Sequence, residues 1–111
     1  GIASDPAQPG FKHIIMKPHP VGDLKFAKAS HRSPHGLIRS EWQRDGATFD
    51  WQITVPPNTT ATVYVPARHT NDIRENDKPL AQAAGVEFLR SEADRVVLKV
   101  AGGDYRFTVR Q

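Results

Sequence analysis

The chain has 111 residues, enough for one domain with a real core. Its 38% hydrophobic and 24% charged residues set it apart from disordered sequences, and the lack of cysteine excludes a disulfide scaffold and a thiolate metal site. No apolar run approaches the roughly 20 residues of a membrane-spanning helix. The formal charge of +3 and pI near 9.5 raise the question of nucleic acid, but Lys and Arg are scattered among Asp and Glu with no basic run.

Residues 1–10 hold two prolines and little apolar content, and read as a linker or wrapping arm. The start, Gly1-Ile2-Ala3-Ser4-Asp5-Pro6, has neither an initiator Met nor a signal-peptide pattern, so a piece of a longer protein is expected. Residues 10–24 form a short apolar strand that runs into a Pro-spaced turn (Lys17-Pro18-His19-Pro20). Ser33-Pro34-His35-Gly36 is a tight turn, and Asp45-Gly46 joins the segment ending at Trp42 to the one beginning at Thr48.

Period-two alternation then dominates. Phe49, Trp51, Ile53 and Val55 share one face, with Asp50, Gln52 and Thr54 on the other. Ala61, Val63 and Val65 alternate with Thr60, Thr62 and Tyr64, after a turn at Pro56-Pro57-Asn58. The polar stretch 68–78 is expected to be a mobile loop. Residues 79–84 have room for one helical turn before Gly85. Val96, Leu98 and Val100 form a further inward face, as do Tyr105, Phe107 and Val109. Gly102-Gly103-Asp104 is expected to close a hairpin between these two runs. The fold class is all-β, an antiparallel sandwich of about seven or eight short strands.

Chemistry is sparse. Glu41, Asp45 and Asp50 cluster along one hairpin, but solvated strand and turn acids account for them without a catalytic pair. The histidines are His13, His19, His31, His35 and His69; their spacing supplies no metal motif, and no metal or cofactor is expected. No GxSxG, phosphate loop or GxGxxG occurs. Asn58-Thr59-Thr60 is a formal glycosylation sequon, yet Asn after two prolines serves turn geometry. Trp42, Trp51 and Tyr64 are the candidate sugar platforms. Trp51 lies in register with core residues, and Trp42 shares a face with Ile38 and Ser40, at the core or an interface.

Several ordered segments resemble the C-terminal β-sandwich domain of bacterial α-L-rhamnosidases. Residues 10–24 are similar to that family's crossing from the catalytic barrel to the sandwich. Lys28-Ala29-Ser30, the turn at 33–36 and Ser40-Glu41-Trp42 resemble its next strands. The run 53–66, Ile-Thr-Val-Pro-Pro-Asn-Thr-Thr-Ala-Thr-Val-Tyr-Val-Pro, resembles its most recognisable stretch. Residues 68–78 depart most, as a variable loop would.

The resemblance implies that residues 1–10 lead from a missing catalytic barrel and that 11–111 are the sandwich. It implies an inverting parent enzyme that removes terminal α-L-rhamnose, with both catalytic glutamates upstream of Gly1 and none on this chain. The partner implied is the upstream (α/α) barrel of the same polypeptide, and His13 is the one residue expected to reach the sugar pocket. Excision would expose a barrel-facing surface near Phe11, Ile15 and Trp42 and favour self-association. The rival reading is a stand-alone carbohydrate-binding sandwich, which requires an exposed aromatic platform.

Overall fold

The structure, a computed structural model, describes residues 1–8, 10–20 and 22–110. Pro9, Val21 and Gln111, which belong to segments read above, lie outside the described residues. Two sheets pack face to face. The first has five strands in the order β1 (Ile2–Ser4), β2 (His13–Met16), β6 (Thr60–Val65), β10 (Arg95–Val100) and β9 (Val86–Glu92). The second has six, in the order β3 (Phe26–Ser33), β4 (Gly36–Asp45), β5 (Thr48–Val55), β11 (Gly103–Arg110), β7 (Ile73–Glu75) and β8 (Lys78–Pro79). Neighbours run antiparallel except β2 and β6, which are parallel with His13 opposite Thr60 and Met16 opposite Val63.

The alternation read from sequence sets the two inner faces. Ile14, Met16, Ala61, Val63, Val65, Val96, Leu98 and Val100 line one, and Ile38, Trp42, Phe49, Trp51, Ile53, Phe107 and Val109 line the other, all buried. Trp51 is the pivot. Its ring meets Phe49 edge-on at 6.3 Å and Phe107 at 6.2 Å, and its Nε1–H donates to the buried Ser40 Oγ at 2.8 Å.

Local turn signals yield the hairpins expected of them: residues 34–35 join β3 to β4, and Gly46-Ala47 joins β4 to β5. Pro56 to Thr59 carries the chain from the second sheet to the first, with Asn58 in the left-handed region (φ 60°), as its place in a Pro-Pro turn requires.

Three expectations need correction. Gly102-Gly103-Asp104 closes no hairpin: β10 belongs to the first sheet and β11 to the second, so this is a crossing. It lies against the other crossing, where a Cβ on Gly102 would sit 2.6 Å from the Pro56 carbonyl oxygen. The stretch 68–78 holds a 3-10 turn (Thr70–Asp72) and two short strands, because the 1%-exposed Ile73 pairs opposite Val109 and anchors it. Trp42 is 5% exposed and faces the interior with Ile38 and Ser40, so it shares no surface with Ile15, which points out of the first sheet.

Within the arm 1–10, Ile2–Ser4 pairs antiparallel with β2 as an edge strand. The room at 79–84 is filled by one 3-10 turn, Leu80–Gln82.

Candidate functional site

His13 opens β2, and the backbone that delivers it is unusual. Gly10 (φ 79°) and then Phe11 (φ 60°) sit in the left-handed region, which suits glycine and strains a bulky aromatic residue. Phe11 is held there from two sides: its N–H donates to Ser4 Oγ at 3.3 Å, and its ring lies 4.5 Å from that of His31. The His13 carbonyl accepts the Asp5 N–H at 3.0 Å, and the Lys12 carbonyl accepts that of Thr60.

The His13 side chain lies on the outer face of the first sheet, 8% exposed. Its Nδ1 is 2.6 Å from Thr60 Oγ1 and its Nε2 is 2.7 Å from Thr62 Oγ1. A neutral imidazole donates from one nitrogen and accepts at the other, and each threonine hydroxyl supplies either complement. The parallel register explains the fit: β6 presents alternate residues 60 and 62 on one face, and His13 spans them. The two threonines are what a reading of the sequence misses. Their shared face is legible from alternation, but their pairing with β2 is not.

The other candidates do not converge on His13. Asp50 is on the outer face of the second sheet, where its two oxygens accept from Arg106 Nε (3.1 Å) and Nη2 (2.7 Å), raising the Arg106 pKa chiefly through that hydrogen bond. Glu41 is also outward on β4, and Asp45 ends that strand. His31 packs on Phe11, and the His35 N–H caps the β3–β4 turn at Ser33 Oγ. His69 precedes the first 3-10 turn. His19 sits in the segment after β2, its pKa lowered by desolvation and by nearby positive charges, the N-terminus foremost. Among the described residues, no three His, Cys, Asp or Glu side chains group to hold a metal ion. Tyr64 is half-buried beneath the Lys17 ammonium, 5.0 Å from its ring centroid.

The segment that links β2 to β3 is tied down by one side chain. Arg44 donates to the carbonyls of Pro20 (3.2 Å), Gly22 (2.7 Å) and Leu24 (2.6 Å). This fixes the Pro-spaced turn that leads away from the His13 strand.

The sequence profile of the bacterial α-L-rhamnosidase C-terminal domain matches residues 1–79, from β1 through β8. The chain belongs to that family. An α-L-rhamnosidase of Streptomyces avermitilis is 34% identical over 109 residues, 98% of this chain and 10% of that enzyme. The crystal structure of the Streptomyces avermitilis α-L-rhamnosidase complexed with L-rhamnose superposes with a TM-score of 0.82 at 32% identity, again over 98% of this chain and 10% of that one. The α-L-rhamnosidase of Dictyoglumus thermophilum superposes at 0.83 with 32% identity, over all of this chain and 12% of that one. This rhamnosidase C-terminal domain therefore spans about a tenth of the length of the relatives it matches.

Proposed function

We propose that this chain is the non-catalytic accessory sandwich of an α-L-rhamnosidase that hydrolyses terminal α-L-rhamnose from glycosides. Residues 1–10 lead from an upstream (α/α) barrel, 11–111 pack on it, and His13 is lent to the sugar pocket. The observation that carries the reading is the family match combined with the small share of each relative that the chain covers. An inverting hydrolysis needs one carboxylic acid to protonate the leaving oxygen and a second carboxylate to activate water. On this reading both are on the barrel.

The outer face of the first sheet is the docking side. It carries His13, the half-buried Ile15 and Tyr64, and the threonines that fix the imidazole. A ring held at both nitrogens is pre-oriented but has no third hydrogen-bonding site, so on this reading a sugar hydroxyl takes the place of Thr60 or Thr62 at one of them. The strain at Phe11, two residues away, supports a positioned group at this end of the strand.

The test is His13→Ala in the full-length polypeptide. The reading predicts a loss of about tenfold in kcat/KM on an aryl α-L-rhamnoside, the size of one neutral hydrogen bond to substrate. A histidine that only packs would lower the melting temperature and leave kcat/KM unchanged, and that result would remove His13 from the pocket.

A further inference from the structure

The outer face of the second sheet lies across the sandwich from His13. Three adjacent strands place two rows of side chains there: Phe26, Gln43 and Asp50 stand opposite one another across β3, β4 and β5, and Lys28, Glu41 and Gln52 form the next row. These six residues line a shallow groove of about 600 Å³. Arg106 on β11, opposite Gln52, holds the Asp50 carboxylate in a two-pronged pair. Phe26 is 62% exposed.

The array restricts what can bind. Lys25, Lys28, Arg44 and Arg106 are set against Glu41, Asp45 and Asp50, so neither a polyanion nor a polycation is favoured. Apolar surface is concentrated in the Phe26 ring, which is too little for the desolvated centre of a protein–protein interface. Two amides and the Glu41 carboxylate, spaced by a strand separation of about 4.8 Å, supply donors and acceptors in a plane. A pyranose ring has the matching pair of surfaces, with C–H groups to stack on an aromatic ring and hydroxyls to meet the amides and the carboxylate.

We propose that the outer face of β3, β4 and β5 is a saccharide-binding surface, with Phe26 as the stacking platform and Gln43, Gln52 and Glu41 as hydroxyl partners. Its ligand class is a neutral sugar unit of a glycan. The surface stands on this array, and only the choice of rhamnose as one probe rests on the proposed rhamnosidase parent.

The experiment is a titration of the isotope-labelled 111-residue chain, followed by amide chemical shifts at physiological salt. One probe is methyl α-L-rhamnoside and the other is maltohexaose. Saturable shifts clustered on Phe26, Lys28, Gln43 and Gln52 are expected with at least one of them. Phe26→Ala should weaken that binding about tenfold without lowering the melting temperature, because the ring is exposed. Gln43→Ala should weaken it through a second, independent contact. Response to maltohexaose alone supports the surface and leaves the parent activity to its own test. Saturable shifts with neither probe, shifts centred on His13, or unchanged affinity in Phe26→Ala would overturn the proposal.

Discussion

Tyr105 ties the last strand to the crossing before it. Its O–H donates to the Ala101 carbonyl at 2.8 Å and its ring stacks on Phe107. Burial raises the phenol pKa, and the Glu75 charge adds to the shift. The folded state thus favours the neutral phenol. That contribution to stability is fully present below the unfolded value of about 10 and is lost as pH rises from there through the raised folded pKa. The melting temperature should fall above about pH 10. Tyr105→Phe should flatten that alkaline decline and cost about 1 kcal/mol at neutral pH. An alkaline limb identical in the variant would rule out Tyr105 as its source. Ser40→Ala tests a different kind of dependence. It leaves the Trp51 Nε1–H buried with its acceptor gone, which should cost about 2 kcal/mol in urea unfolding. A loss under about 0.5 kcal/mol would mean that the indole finds another partner.

At the scale of elements, the Arg44 clamp and the crossing at Gly102 are non-local devices. Arg44→Met removes donors from the carbonyls of Pro20, Gly22 and Leu24 while keeping the apolar stem. Amide exchange should accelerate in residues 18–25 and stay slow in β6 and β10. Uniform acceleration would place Arg44 in the global fold instead. Gly102→Ala forces a contact of 2.6 Å against the Pro56 carbonyl and should cost about 2 kcal/mol or more.

How much was legible follows from the range of each signal. The alternations in β5, β6, β10 and β11 are local and came through, as did the two hairpins. The crossing at 102–104 looked like a hairpin because Gly-Gly-Asp encodes a turn and not the partner of the next strand. β9 carries no alternation to read: from Glu87 to Glu92 every residue is exposed, and its register shifts opposite Val97 and Leu98. β7 hides in a polar run whose anchor is Ile73. His13 is singled out by resemblance alone, since one histidine beside Phe11 and Ile15 has no motif of its own. Thr60 and Thr62 need the parallel pairing of β2 with β6, which no local pattern carries.

The molecule as a whole presents two unlike outer faces, one on each of two sheets packed about 10 Å apart. One carries His13 between its threonines beside Ile15, and is the proposed seat on a catalytic barrel. The other is polar, with Phe26 exposed in a groove of balanced charge. On the proposed function, a sandwich so arranged is a wall for another domain's active site. The most direct test is rhamnose release from an aryl α-L-rhamnoside by the full-length polypeptide and, separately, by the 111-residue chain. The account predicts turnover by the full-length polypeptide and none by the chain alone. Turnover by the isolated chain, or its absence from the full-length polypeptide, would contradict it.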